Sequence, residues 1–226
     1  DLHSARPFTP CLAPAHTTMY IPRLNQENDL DRLHQLMRQF NFATLFSQHG
    51  DEPWATPLPF MLAAERGDKG TLLAHFARAN PHWKVIDPTK EVVVVFQGPH
   101  AYISPSWYEA EVAVPTWNYG MVQATGKVKL IHDPDALRPF VIDLVAIHDA
   151  AMPQPWDVAY AEPVMDSLLK AIVGIEIEIE QLRGKYKFSQ NKSVTDQQGV
   201  IAALVGSEDS LAKETAVIMQ RNLDGD

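Results

Sequence analysis

Apolar residues fall at Leu30, Leu33, Met37 and Phe40, one face of a helix, and Asn28 or Asp29 just ahead can cap it. The spacing predicts a helix lying on a sheet. Residues 42–47 and 54–61 are apolar and β-rich, and 48–53 between them read as a hairpin connection. Pro57 and Pro59 interrupt the second run. Proline donates no ladder hydrogen bond, so this strand belongs at an edge or a bulge, where backbone groups stay free for a ligand. Further strands are predicted over 71–76, 91–96 and 121–131, with 91–96 so continuously apolar that burial on both faces is expected. Residues 77–84 read as a short helical segment with Pro81 in its first turn, and 134–150 as a longer helix behind Asp133. From Val173 to Glu180 the period is two: Ile175, Ile177 and Ile179 point inward, Glu176, Glu178 and Glu180 toward solvent. Helices over 195–205 and 208–222 close the chain.

Six or more strands with only occasional helices lack the regular alternation of a doubly wound sheet. They predict a mainly β fold with peripheral helices (α+β), an antiparallel barrel. Neither a Gly-x-Gly-x-x-Gly turn nor a Walker-type glycine-lysine loop occurs. At 226 residues the chain accommodates one domain with a helical appendage. Residues 1–18 carry three prolines and no basic start followed by an apolar stretch, so they are expected to form a poorly ordered extension. Met19-Tyr-Ile-Pro22 reads as a natural beginning. The barrel is then expected over 19–192 and a helical segment, packed on it or on a dimer partner, over 193–226.

Charge and cysteine usage narrow the setting. A formal net charge of −9 and a pI near 5.4 work against a general nucleic-acid binder, whose affinity rests on clustered Lys and Arg. No apolar run approaches the ~20 residues that cross a bilayer. A lone cysteine, Cys11, builds no disulfide framework and fits a reducing, cytoplasmic compartment.

Three segments offer chemistry. Residues 96–119 hold six aromatic residues with Pro99, Pro105 and Pro115 among them, so they form an extended, rigid wall that either fills a core or holds a flat ligand. Trp107, Tyr108, Trp117 and Asn118 are its candidate contacts. His75-Phe-Ala-Arg-Ala-Asn-Pro-His-Trp-Lys84 delivers Arg78, Asn80 and Lys84 beside a helix start, a donor set suited to phosphate or equally to a charged surface turn. Lys187-Phe-Ser-Gln-Asn-Lys192 sets two lysines beside side chains able to donate hydrogen bonds, and on its own reads as a polar loop. Together the three describe a ligand flat at one end and phosphorylated at the other, which fits FMN. Metal chemistry is not supported: nine histidines form neither His-x-His nor His-Glu-x-x-His, and His75, His82 and His100 lack an apparent carboxylate set. Without a Gly-x-Ser-x-Gly elbow, Ser104 and Ser106 read as turn residues. No histidine stands out as a haem ligand.

These segments, with Met19-Tyr-Ile-Pro22, resemble in order and spacing the PaiB-like FMN-binding negative transcriptional regulator family. The resemblance runs from Met19 to the C-terminal end. It implies an FMN-binding antiparallel split β-barrel related to pyridoxamine-phosphate-oxidase-like flavoproteins, a homodimer with FMN at the subunit interface. Carried onto this chain, Arg78, Asn80 and Lys84 would hold the phosphate and ribityl end with His75 nearby, and Thr56, Pro57 and Leu58 would follow the isoalloxazine edge. Trp107, Tyr108, Trp117 and Asn118 would complete the pocket, from the partner subunit where the interface requires it. Lys187, Ser189, Gln190 and Asn191 would add polar contacts. Two functions are compatible. One is a repressor working through its flavin state or a partner, since direct DNA binding conflicts with the acidic chain and the lack of a helix-turn-helix. The other is an oxidoreductase passing electrons from NADH or NADPH to a small molecule. No catalytic acid or base is identifiable.

Overall fold

The computed structural model describes residues 19–225; the expected extension over 1–18, Cys11 included, lies outside the described residues. After the two-residue strand β1 (Gln26–Glu27), helix α1 (Leu30–Gln39) starts where the sequence places it, with the Asp29 carboxylate accepting from the Arg32 amide at 3.0 Å. Its Leu33, Leu36 and Met37 are buried against the sheet. Strands β2 (Phe42–His49) and β3 (Glu52–Pro59) form the expected hairpin with a tighter turn, in which Gly50 takes φ +57°. β3 pairs only with β2, so its prolines sit on an edge as expected.

Strands β4 (Met61–Ala63) and β5 (Thr71–Ala77) follow, then helix α2 (His82–Val85), shorter than the segment read over 77–84. β6 (Glu91–Ile103) and β7 (Thr116–Ile131) are the two longest strands and pair with each other along their length. β6 runs well beyond the expected end at 96, because a register shift between Gln97 and His100 absorbs Gly98 and Pro99 as a bulge. A Cβ at Gly98 would lie 2.8 Å from a Leu36 methyl and 3.0 Å from the Gly120 carbonyl, so the bulge needs glycine to press onto α1. The expected two-sided burial of 91–96 is corrected: Val92, Val94 and Phe96 are in the core, but Val93 and Val95 are only half-buried, because the pleat turns alternate side chains to the opposite face of the sheet.

Helix α3 (Pro134–Asp149) begins at its Asp133 cap, and α4 (Met165–Lys170) leads into β8 (Ile172–Glu178) and β9 (Gln181–Lys187). These two strands form one nearly continuous partner for β7, broken between 178 and 181. Before the break the outer neighbour is β5; after it, β1. Among the described residues the nine-stranded antiparallel sheet therefore splits at this point and remains open at its β3 and β4 edges. The close approach is made by Gly126, where a Cβ would stand 2.1 Å from the Glu178 carbonyl oxygen. Ile175, Ile177 and Ile179 are buried; Glu178 and Glu180 face solvent, and Glu176 pairs with Arg66 at 2.7 Å and Lys129 at 3.6 Å.

Helices α5 (Val194–Val205) and α6 (Ser210–Asp224) pack on the β6–β7 hairpin and join the main core through Val200, Leu204, Ala216 and Met219. A smaller core of Leu73, Leu137, Phe140, Leu144, Met165 and Leu169 lies between α3, α4 and the β5–β8 face. Among the described residues no helix is long and apolar enough to cross a membrane.

Candidate functional site

The segment after β5 is built around a histidine. His82 is fully buried; one ring nitrogen lies 2.8 Å from the Ser47 hydroxyl and the other 2.7 Å from that of Thr56. Its ring sits between Trp54 and Phe76, 5.5 Å from each centroid. Burial lowers its pKa, so the neutral ring is favoured. The Asn80 side-chain oxygen accepts from the His82 amide at 2.9 Å and fixes the turn. α2 is thereby clamped to the β2–β3 hairpin beside the open β3 edge.

The other candidates from this segment divide. Among the described residues exposed Lys84 forms no ion pair, and the Asn80 side-chain nitrogen makes no hydrogen bond. Arg78 is largely committed: its Nε donates to the Lys170 carbonyl at 2.6 Å and an Nη to that of Ile172 at 2.7 Å, tying α4 to β8. That leaves one Nη for a ligand. His75 points the other way, edge-on to Phe140 of α3 at 6.0 Å, on the opposite face of β5 from Phe76. Among the described residues its buried Nδ1 finds no partner, and burial lowers its pKa. On β3, Pro57 is exposed, Thr56 half-buried and Leu58 in the core.

The aromatic wall lies at the far end of the β6–β7 hairpin. His100, Tyr102, Trp107 and Trp117 line one side of a groove of about 520 Å³, and the α5–α6 turn with Ser207 and Asp209 lines the other. Trp117 is 53% exposed and meets Tyr102 edge-on at 6.0 Å at the surface, whereas Trp107 and Tyr108 are half-buried against the main core and Phe96 lies within it. α5 locks it from behind: at Gly199 a Cβ would lie 2.3 Å from the Trp107 carbonyl oxygen.

Beside the groove, the loop after β9 forms a second recess. Asn118 is wholly buried and exchanges two hydrogen bonds with Ser189, donating at 3.0 Å and accepting at 3.1 Å. Ser189 holds φ +63°, a left-handed conformation uncommon for a side chain with a Cβ. The Tyr108 hydroxyl is buried beside Ser189, whose hydroxyl also pairs with Asn118, and burial raises the Tyr108 pKa. Gln190 turns inward, accepting from the Phe188 amide and donating to the Tyr186 carbonyl. Lys187 donates to the Thr116 hydroxyl and the Trp117 carbonyl, and Lys192 lies 4.7 Å over the Tyr108 ring. Lys187, Ser189 and Asn191 line a cleft of about 310 Å³ with Thr116 and Asn118.

One chain does not gather all of these candidates into one pocket. Thr56 pairs with Leu45, which pairs with Val94, whereas Trp117 pairs with Tyr102. Eight residues of β6 separate those two levels, roughly 25 Å at ~3.3 Å per residue. Sequence reasoning missed the clamp made by His82, Ser47 and Thr56. Its signal was a histidine directly behind Asn-Pro at a helix start, with hydroxyl residues on the preceding hairpin.

Comparison with known proteins fits this architecture. The chain is 34% identical over 207 residues to the Bacillus subtilis protein named protease synthase and sporulation protein PAI 2, covering 91% of this chain and 98% of that one. Among solved structures, the FAD and heme binding protein of Mycobacterium smegmatis superposes with TM-score 0.54 at 17% identity, over 81% of this chain and 80% of that one. The flavocytochrome Anf3 of Azotobacter vinelandii gives TM-score 0.54 at 12% identity, over 74% and 72% of the two chains. At such identities the last two establish the fold alone, which is of the split-barrel type. A family model described as "Putative FMN-binding domain" matches residues 19–181, and with the PAI 2 relationship it places this chain in the PaiB-like FMN-binding family.

Proposed function

We propose that the protein binds FMN, with the phosphate end at Asn80, Lys84 and the remaining Nη of Arg78, and the isoalloxazine edge along Thr56, Pro57 and Leu58. The observation that carries this is the clamp of His82 between Ser47 and Thr56, which fixes α2 against the one strand edge whose proline-disturbed backbone is open. The donor types support this reading: among the described residues Lys84 forms no ion pair, the Asn80 side-chain nitrogen makes no hydrogen bond, and Arg78 keeps one Nη outside its bonds to Lys170 and Ile172, all types that suit a phosphate. FMN, once bound, supplies redox chemistry through its ring system. The chain's own part is to hold and orient the group and to shield one face of it.

The reading includes a homodimer in which the second copy brings Trp107 and Trp117 to the flavin. The roughly 25 Å between the Thr56 and Trp117 levels, longer than FMN itself, supports contributions from two subunits. So does the uncovered sheet face, on which Phe46 is 41% exposed and Val93 and Val95 are half-buried. The biological role proposed is negative regulation exerted through the flavin state or a partner, since a chain of net charge −9 offers little to DNA. A second reading, oxidoreduction of a small molecule with NADH or NADPH as donor, is favoured by the open β3 edge, which leaves an approach for a hydride donor.

Purified protein titrated with FMN should take it up saturably and display flavin absorption in a dimeric fraction. A folded dimer that takes up no flavin would sink the proposal. Under indirect regulation, promoter DNA should bind no better than random DNA at any salt concentration; a salt-dependent preference for the promoter would reverse that part. Anaerobic mixing with NADH and NADPH separates the two roles, since an oxidoreductase bleaches its flavin and an inert flavin counts against one.

A further inference from the structure

Strand β4 ends the sheet on the side away from β3. It pairs with β5 alone, and among the described residues the backbone of Met61 and Leu62 makes no hydrogen bond outside that ladder. Between β4 and α3 lies a cleft of about 370 Å³, with Met61, Leu62 and Ala63 on one side and Ala146 and Ile147 on the other. Ile147 is 52% exposed, a branched apolar side chain left in water. The charged groups at the cleft are both acids, Glu65 and Asp143. Among the described residues neither has a cation within ion-pair distance. The local sequence offers them none: from Pro139 to Leu169 the chain carries Asp143, Asp149, Asp157, Glu162 and Asp166 but no Lys or Arg. Arg138, just before that stretch, is spent on Glu162 and Asp166.

We infer that the β4–α3 cleft docks an extended segment of a partner protein, with an apolar side chain in the cleft and Lys or Arg beside it. Each part of that description answers one feature. An open strand edge is completed by an extended backbone, whose alternate side chains fall on one face. The three residues of β4 offer few ladder bonds, so the cleft supplies the anchor, and its Met61, Ala146 and Ile147 call for an apolar one. Two unpaired carboxylates select cations in the flanking positions. The same charges disfavour a second copy of this chain, which carries a net charge of −9 and would set Glu65 and Asp143 against acids like themselves. The regulatory reading calls for a partner, and this cleft gives one a place to bind. The inference does not rest on the flavin, since none of the cleft residues belongs to the proposed FMN set.

The test is a fluorescence anisotropy titration of the full chain into a labelled synthetic peptide of alternating lysine and valine, its ends blocked. About 0.15 M salt screens general attraction to an acidic protein. Saturable binding is expected, weakened about fivefold or more by Ile147→Ser and by the pair Glu65→Gln with Asp143→Asn. All three side chains are exposed, so these variants keep the fold. The same peptide N-methylated along one edge cannot extend the sheet and should bind about tenfold more weakly or not at all. No saturable binding, or binding indifferent to the substitutions, overturns the inference, as does equal binding of the N-methylated peptide. If Ile147→Ser instead changes the sedimentation mass of the chain, a second copy occupies the cleft and the inference falls. The titration is run with and without FMN; a chain that takes up no flavin still gives the peptide result, so the two readings fail separately.

Discussion

Two polar clusters flank this barrel, and they differ in how completely they are satisfied. Around His82 the buried imidazole is fully partnered within the fold: both ring nitrogens meet hydroxyls, the backbone amide meets Asn80, and aromatic rings close the sides. Around Tyr108 and Ser189 the polar groups are less closely matched: Ser189 is left-handed, and among the described residues Lys187 and Lys192 have no carboxylate within ion-pair distance. A saturated network behaves as a latch, because losing any member strands another. A looser one leaves charge facing a cleft. The first cluster therefore holds α2 in place, whereas the second sets two cations along a cleft.

The largest test of this contrast is His82→Ala. It opens a cavity between Trp54 and Phe76 and strands the Ser47 and Thr56 hydroxyls, so a loss of about 2–4 kcal/mol in urea unfolding is expected, with FMN uptake falling alongside. A loss under about 1 kcal/mol would mean that the latch is ornamental.

Acid comes next. His75 and His82 both have pKa values lowered by burial from the ordinary 6.5. The unfolded chain therefore takes up protons first as pH falls, and stability declines below about pH 6.5 and recovers above it. Urea midpoints followed from neutral to mildly acid pH should show this decline, and it should be shallower in His82→Gln. A midpoint that rises on acidification would contradict the burial of these rings.

The smallest effect is expected at Tyr108→Phe. Its hydroxyl meets Ser189, which keeps its pair with Asn118 when the hydroxyl is removed, so thermal stability should fall by no more than about 1 kcal/mol. A loss beyond about 2 kcal/mol would make this hydroxyl as firmly held as the His82 ring and close the gap between the two clusters.

Much of the fold is legible in the chain because its signals are local. The Asp29 and Asp133 caps, the 3.6-residue stripe of α1 and the alternation of Ile175, Ile177 and Ile179 each act within a few residues, and each element forms where its pattern places it. The edge position of β3 follows from Pro57 and Pro59 for the same reason. β9 was not legible as a strand: Gln181-Leu-Arg-Gly-Lys-Tyr-Lys187 is mostly polar, and it extends because β7 and β1 supply its hydrogen bonds. The continuation of β6 past Pro99 depends on the bulge that Gly98 permits against Leu36, a contact 62 residues distant in sequence.

The candidate site divides along the same line. The sequence by itself determined the residue types, namely the aromatic wall, the Asn-Pro-His-Trp-Lys segment and the lysine-rich loop after Tyr186, because composition and spacing need no partner to be read. Only the tertiary structure decided their roles. It turned Arg78 onto the Lys170 and Ile172 carbonyls, sent His75 beneath α3, made His82 a latch, and set Lys187 and Lys192 on one cleft without an acid. Hydrogen-bond satisfaction is a property of neighbours in space, and which neighbours a donor meets is fixed by strand register and packing, which no local stretch of sequence contains.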